Sequence, residues 1–215
     1  MTDVKMNELT LKIFEIIEEN ILNGVYAKGT ILDEDKLALE LIVGQGTVRE
    51  AIAMLVVKRL VAETSAGVVV LGVDEEDMRD IVSVKRLLEV TAAGMTAENI
   101  SDEAIEQLRV IVEDQEKHIA EEDFDAKVIR NLDTQFHDLL YKECGSVTYE
   151  SILSPMHHKL SRHRRDSLTY KARLIASVSE HRAIFDAIAA KDKEGAEDAM
   201  RMHIEHAYAG MLQAQ

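Results

Sequence analysis

An aspartate and a histidine one helical turn apart are the residues of this sequence best placed to do chemistry. Asp133 and His137 lie in the run Ile129 to Leu140, whose apolar residues recur with the period of a helix. Residues four apart leave a helix on the same face, and the flanking leucines and phenylalanine predict that this face is buried. A buried carboxylate and imidazole need partners, which can be each other or a metal ion.

Two further histidines have the same setting. His181 lies in the run VSEHRAIFDAI and His203 in AEDAMRMHIEHA, each on the apolar face of a predicted helix. Neutral imidazoles and one carboxylate suit zinc, nickel, cobalt or manganese, with zinc the first choice. Distance along the chain does not show that the four residues meet, so a hydrogen-bonded core network stays open as the alternative. The other histidines are expected to be exposed or at an interface: His118, His157, His158, His163 and His206.

The composition predicts a mainly α-helical protein. The 215 residues include one proline, ten glycines and no tryptophan, while strong helix formers dominate. The single Cys144 excludes an intrachain disulfide framework and fits a reducing, cytoplasmic setting. No apolar run reaches the roughly 18 residues of a membrane span, so no membrane partner is expected. A net charge of −15 opposes nonspecific attraction to nucleic acid, although a local patch could differ.

Residues 1–73 have the elements of a winged helix-turn-helix. Three segments have helical periodicity, and two β-rich runs follow them, separated by TSAG, which is a hairpin signal. The helices are predicted at 7–23, 32–41 and 47–58, and the strands at 60–63 and 68–73. Three short helices and a hairpin in this order predict a small DNA-binding fold.

Residues 74–215 are predicted to form an all-α bundle of six helices. Their expected spans are 75–99, 101–121, 123–145, 148–165, 170–190 and 193–211. The first of these helices is expected to bury an apolar stripe made of Ile81, Val84, Leu87, Leu88 and Ala92.

The N-terminal part resembles the DNA-binding domain of the GntR family of bacterial transcription regulators. The matching residues are IxxxIxxGxxxxGxxLxExxLAxxLxV in 17–43, VREAIxxL in 48–55 and GVVV from Gly67. The family pattern implies DNA contacts by Lys36, Gln45, Thr47, Arg49 and Gly67. Two arginines that family members use on DNA are absent, because Asp35 and the stretch Gly44 to Thr47 occupy their places.

The charge of this region predicts weak or strongly salt-sensitive DNA binding. Residues 1–73 hold seven Lys and Arg against eleven Asp and Glu, a net charge of −4. Release of counterions by basic residues supplies much of the affinity of a DNA-binding module, and here that term is small. Two DNA-binding modules in a dimer would compensate for the weak binding of each one.

The C-terminal part resembles the FCD ligand-sensing domain of the FadR subfamily of GntR regulators. RLLE at 86–89, LDTQFHDLL, SEHRAIFDAI, KDKEGAEDAM and MHIEH carry the likeness, in this order. The resemblance implies that Asp133, His137, His181 and His203 bind a divalent metal. It also implies a small organic acid effector that coordinates the ion and is oriented by a buried Arg86, with Arg130 and Asn131 as further candidates.

Together the two resemblances imply a cytoplasmic homodimer that binds pseudo-palindromic operator DNA, a repressor whose affinity for DNA responds to a metabolite. A second hypothesis is a metal and metabolite sensor whose head has lost specific DNA recognition, because the contact residues around Gly44 and Asp35 are altered. A third is a helical metalloenzyme, since a metal with open positions can activate water. The third lacks an identifiable general base, phosphate loop or nucleophile motif, so no enzymatic activity is expected.

Overall fold

The computed structural model describes residues 7–72, 75–160 and 171–213. The chain divides into two compact units, 1–77 and 78–215. None of the helices in the described ranges is long and apolar enough to cross a membrane.

Three helices form most of the first unit. They are α1 (Glu8–Leu22), α2 (Glu34–Leu41) and α3 (Gln45–Val57). The side chain of Asn7 caps α1 by accepting from the backbone of the first turn, and Asp33 caps α2 in the same way. Both caps sit where the sequence predicted the helices to begin.

A small antiparallel sheet completes this unit. Its strands β1 (Ile31–Leu32), β2 (Val61–Thr64) and β3 (Gly67–Val70) lie in the order β1-β3-β2. Thr64 pairs with Gly67 across the turn, where Gly67 adopts a φ of 116° that favours glycine. The β2-β3 hairpin was predicted, but β1 was not, because two residues are too short to show an alternating pattern.

The core of the first unit joins α1, α3 and the sheet. Ile17, Val48 and Leu55 are fully buried, and Ile52 and Val70 are 1% exposed. These positions lie on one face of each helix, which is why helical periodicity predicted them. The result is the winged helix-turn-helix that the sequence predicted.

Six helices of the described residues belong to the bundle. They are α4 (Glu75–Asn99), α5 (Asp102–Ile119), α6 (Ala126–Glu143), α7 (Val147–Lys159), α8 (Lys171–Ala189) and α9 (Lys193–Gln213). Helix α5 packs against α6 and α8, α6 against α7, and α8 against α9. The fold is therefore mainly α, as predicted. The predicted extension of the helix at 148 to residue 165, and His163, lie outside the described residues.

Hydrogen bonds from α4 attach it to α6. Thr96 donates its hydroxyl to the carbonyl of Leu140 at 2.9 Å, and the amide of Asn99 donates to the carbonyl of Cys144 at 3.0 Å. These contacts fix which face of α4 lies against the bundle.

Part of the predicted apolar stripe of α4 is wrong. Ala92 is buried as predicted, and Ile81 and Leu88 are half-buried. Val84 and Leu87 are 38% and 73% exposed, whereas Lys85 and Glu89 are only 6% and 1% exposed. Each residue turns a helix by 100°, so a shift of one position exchanges buried for exposed side chains. The sequence prediction followed the apolar residues, while the structure buries a charged pair.

Candidate metal centre

Helix α6 carries the aspartate and the histidine that lie one helical turn apart. Asp133 and His137 are 5% and 2% exposed and lie on the face that also buries Ile129, Phe136 and Leu140. The helix is amphipathic, with Asn131 and Gln135 exposed on its other side. Burial of the apolar residues therefore carries the carboxylate and the imidazole into the bundle.

Helices α8 and α9 bring two more imidazoles to this place. His181 and His203 are 1% and 5% exposed, and one ring nitrogen from each lies within 4.8 Å of the others and of His137. The ring of Phe136 stacks on that of His181 with centroids 4.3 Å apart, which restricts the orientation of this imidazole. Residues separated by up to 70 positions thus meet at one point.

Each of the three imidazoles has its Nδ1 atom bound to an oxygen acceptor. His137 Nδ1 lies 2.8 Å from Glu89 Oε1, His181 Nδ1 lies 2.9 Å from Gln115 Oε1, and His203 Nδ1 lies 2.8 Å from Glu180 Oε2. A carboxylate or amide oxygen only accepts hydrogen bonds, so each Nδ1 carries the proton. The lone pair of each neutral ring is then on Nε2, the atom available to a metal.

The Asp133 carboxylate faces these Nε2 atoms. Its Oδ1 lies 3.6 Å from His181 Nε2 and 4.0 Å from His137 Nε2, both too far for a hydrogen bond. His181 Nε2 is buried without a hydrogen-bond partner in the structure. A buried lone pair that faces a carboxylate at this distance fits a cation between them, and the donor set suits a divalent ion.

Burial also keeps the imidazoles of His137 and His181 uncharged. Desolvation lowers the pKa of His137, although hydrogen bonding to Glu89 opposes it. Desolvation and the nearby His203 lower the pKa of His181 well below its usual value. Neutral imidazole is the form that binds metal.

A second polar cluster, which sequence reasoning missed, adjoins the first. Lys85 Nζ lies 2.8 Å from Glu89 Oε2, 3.1 Å from Tyr141 Oη and 3.5 Å from His157 Nδ1. The Tyr141 hydroxyl donates to Glu89 Oε1. Burial alone would raise the pKa of Glu89, but Lys85 and His137 outweigh it and lower this pKa well below the usual value.

Among the described histidines that were expected to be exposed or at an interface, His157 contradicts the prediction. It was expected to be exposed or at an interface, yet it is 1% exposed, and its Nε2 lies 3.6 Å from Asp133 Oδ2. The adjacent His158 is instead partly exposed and lies 3.2 Å from Asp138. Two successive residues of a helix point 100° apart, so the basic composition of the segment did not reveal that one faces inward.

Glu89, His137 and His157 also have ligand atoms close enough to hold an ion. The ammonium group of Lys85 lies against two of these three residues. A positive charge is therefore already present there, and a second metal ion beside it would be repelled. Among the described residues, Asp133 and the three imidazoles are therefore the arrangement better suited to a divalent cation.

A cavity opens beside these groups. Its wall includes the polar residues Lys85, Asp133, His157 and His203, together with Val82, Leu160, Ile204, Ala207 and Tyr208. About 40 Å³ is open to the centre of a water molecule, and one such centre takes up about 10–15 Å³. The cavity therefore admits a small molecule beside the metal ligands.

Arg173 on α8 contributes a second buried cation to this wall. Its guanidinium donates two hydrogen bonds of 2.8 Å to the carboxylate of Glu180, which also accepts from His203 and His206. Burial would raise the pKa of Glu180, but the hydrogen bonds from His203 and Arg173 lower it to about 2. The Nε atom of Arg173 is buried without a hydrogen-bond partner.

The three residues expected to orient an acid are not in the wall of this cavity as far as the structure describes it. Arg86, expected to be buried, has a side chain 57% exposed that donates to Glu205. Arg130 is half-buried, and Asn131 is exposed. The expectation for Arg86 is wrong because α4 turns Lys85 inward, and the next residue then points away.

The predicted DNA-contacting residues lie on α2, α3 and the hairpin. Lys36, Gln45 and Arg49 are exposed, Thr47 is half-buried, and Gly67 begins β3. Three of them are in intrachain pairs with acidic groups. Gln45 Nε2 donates to Asp35 at 2.7 Å, Arg49 Nε donates to Glu34 at 3.2 Å, and Lys36 lies 3.9 Å from Glu40.

Comparison with protein families accounts for both units. Residues 9–70 match the family described as bacterial regulatory proteins, gntR family, and residues 80–206, more than half of the chain, match the FCD domain. Both matches fall where the sequence predicted these domains.

Relatives with similar sequences are named as transcription regulators. An uncharacterized HTH-type transcriptional regulator, YdhC, of Bacillus subtilis (strain 168) is 26% identical over 96% of this chain and 93% of its own. The gluconate operon transcriptional repressor of the same organism is 25% identical, over 80% of this chain and 72% of its own. Among solved structures, E. coli McbR/YncC shares the fold, with a TM-score of 0.80, 20% identity and coverage of 97% and 99%.

Proposed function

This chain belongs to the GntR family of bacterial regulatory proteins and carries an FCD domain, and from this we propose that it is a metal-dependent sensor of a small carboxylate. As a member of the family it is a DNA-binding transcription regulator with an effector-binding domain, and not an enzyme. The metal and the class of effector are the proposal.

One observation carries the metal part of the proposal. Three buried imidazoles each give their Nδ1 proton to a separate acceptor, which leaves the Nε2 lone pairs available to a metal, with those of His137 and His181 facing the Asp133 carboxylate. A purely structural histidine needs no such common direction. We assign a divalent ion, zinc before nickel, cobalt or manganese, to Asp133, His137, His181 and His203. When bound, it would supply a positive charge that a carboxylate oxygen can coordinate.

Two buried cations support an acid as the effector. Lys85 and Arg173 reach the cavity from two different helices, α4 and α8. They take the role that the sequence assigned to Arg86, Arg130 and Asn131. Both can bind a carboxylate oxygen while they keep their buried acidic partners.

Operator DNA would be bound by two heads in a homodimer. Leu87 and Val84 give α4 an exposed apolar strip, which supports burial against a second copy. Two heads on a pseudo-palindromic site would compensate for the acidic pairs around Gln45 and Arg49. The relative named as the repressor of a gluconate operon supports repression as the mode of control. The binding domain would span 1–73 and the sensing domain 74–215.

The acidic pairs also favour a second function. Asp35 and Glu34 hold Gln45 and Arg49, residues that would otherwise be available to DNA. A sensor with weakened or lost DNA recognition would have this surface, because carboxylates beside the recognition helix repel phosphate.

The test measures DNA binding by the metal-loaded protein. Fluorescence anisotropy with DNA from upstream of its own gene, against scrambled DNA at several salt concentrations, should give specific and strongly salt-dependent binding. Small carboxylic acids should change that affinity. Equal affinity for both DNAs at low salt would favour the second function.

Two variants connect the metal to this response. His137→Ala should lose metal and its response to acids while it still melts cooperatively. His118→Ala is the matched control, since this half-buried imidazole bonds only to a carbonyl of its own helix at 2.7 Å in the structure. Unchanged metal content in His137→Ala would refute the assignment.

A further inference from the structure

The cations of the cavity wall each have a buried acidic partner. Lys85 is paired with Glu89 at 2.8 Å, and Arg173 is paired with Glu180 through two hydrogen bonds of 2.8 Å. Both pairs are largely buried: the side chains of Lys85 and Glu89 are 8% and 1% exposed, and those of Arg173 and Glu180 are 13% and 14% exposed. Each pair therefore adds no net charge to the cavity.

The imidazoles also add no charge. His137 and His203 give their Nδ1 protons to carboxylates and keep neutral rings for the metal. His157 Nδ1 faces the Lys85 ammonium, which can only donate, so this nitrogen accepts and the ring is neutral. Asp133 is the remaining charged group in the described wall. With a divalent ion bound, the part of the wall that the structure describes would have a charge of +1.

From this balance we infer that the effector is a small monocarboxylate and that dicarboxylates are discriminated against. The inference rests on the proposed function and names the class of acid for that site. A monoanion brings the buried charge to zero. A second carboxylate would leave one negative charge buried without a partner, which costs much more than a neutral group at the same place.

The rest of the wall fits an uncharged remainder. Val82, Ile204 and Ala207 add apolar side chains to the wall. The volume open to water centres, about 40 Å³, corresponds to only a few atoms beyond the carboxylate. A short aliphatic acid fits both the apolar side chains and the small volume. An acid charged at both ends would place its second carboxylate against these apolar side chains.

The first experiment compares acids of equal length on the full protein loaded with cobalt(II). Butyrate and succinate both have four carbons, and propionate and malonate both have three. The visible spectrum of the cobalt reports coordination directly, and calorimetry on the zinc-loaded protein gives the affinities. At pH 7 each monocarboxylate should bind at least tenfold more tightly than its dicarboxylate partner.

Charge variants test the reason for this preference. Glu89→Gln can still accept from His137 but raises the cavity charge to +2, so the preference for butyrate should fall by at least tenfold or reverse. The double variant Lys85→Met, Glu89→Gln removes the pair without changing the net charge. It should weaken the binding of both acids, because Lys85 is one of the cations proposed to bind a carboxylate, while the ratio of their affinities stays at the parental value. If Glu89→Gln fails to fold, Glu180→Gln on α8 makes the same charge change and should have the same effect.

The outcomes separate this inference from the proposed function. Failure to bind cobalt, or binding of cobalt without a spectral response to any acid, would overturn both. Succinate binding as tightly as butyrate in the parent would overturn only the monocarboxylate inference. An unchanged preference in the single variant, with cobalt still bound, would also overturn it, because net charge would then not determine selection.

Discussion

Replacing Gln115 tests whether hydrogen bonds to the imidazoles prepare the site for metal. Its side-chain carbonyl accepts from His181 Nδ1 at 2.9 Å, and the residue is fully buried on α5. Gln115→Leu keeps a similar volume but removes this acceptor. The His181 ring then loses the contact that selects its tautomer, and loss of such a partner lowers metal affinity by about 10–100-fold. This corresponds to about 1.4–2.7 kcal/mol of binding free energy.

The same change should have little effect on the stability of the metal-free protein. The Nε2 amide of Gln115 is buried without a hydrogen-bond partner in the structure, and Gln115→Leu removes this group. It also leaves His181 Nδ1 unpaired, and each unpaired buried group costs about 1–3 kcal/mol. One cost replaces the other, so the free energy of unfolding should change by less than about 1 kcal/mol.

The assay is competition for zinc against a chromophoric chelator, combined with urea unfolding of the metal-free protein. Gln115→Glu is the matched control, since its carboxylate still accepts from His181 and should preserve metal affinity. Zinc binding by Gln115→Leu at parental strength would refute the argument that Nδ1 acceptors organise the site. Equal losses in the glutamate and leucine variants would refute it as well.

Three further changes have separate expected results. In the DNA-binding unit, the double variant Glu34→Gln, Asp35→Asn should raise DNA affinity at low salt about threefold to tenfold, because Arg49 becomes available to a phosphate. The salt dependence of binding, measured by anisotropy, should also become steeper. Glu116 accepts hydrogen bonds from Arg182, which lower its pKa although burial opposes this; Glu116→Gln should cost about 0.2–1 kcal/mol at pH 7. The stability difference between the parent and Glu116→Gln should disappear as the pH falls below the usual glutamate pKa and through the lowered pKa of Glu116. Urea unfolding at each pH measures this difference, and a difference that does not change with pH would contradict the pairing. Leu55→Ala, at a fully buried position of the head, should lower the unfolding free energy of the head by about 2–5 kcal/mol without changing zinc affinity in the chelator assay.

The elements could be predicted from the sequence because most of them follow apolar periodicity. Predicted helix limits agree with the observed limits within a few residues, as at α4, which spans Glu75–Asn99 in both. The meeting of His181 and His203 with His137 required a resemblance to a known domain, since spacing along the chain does not determine contacts between helices. The structure brings these side chains together, and whether they bind metal stays a prediction.

The polar half of the cavity could not be predicted in the same way. A lysine and a glutamate four residues apart are usually a surface pair, so this spacing does not indicate that Lys85 and Glu89 are buried. One signal was available: their positions continue the inward spacing of Met78 and Val82, and Thr96 falls on the same side. His157 had no such signal, because it stands beside another histidine in a basic segment.

The buried pair of Lys85 and Glu89 has a consequence for how this chain can change over evolutionary time. Removal of one partner leaves an uncompensated charge and costs about 3–5 kcal/mol, a large part of the 5–15 kcal/mol that typically separates folded from unfolded protein. Replacing both partners together by apolar groups can be neutral or even stabilising. Positions 85 and 89 should therefore change as a unit among descendants of this sequence, by an exchange of the pair or its joint loss.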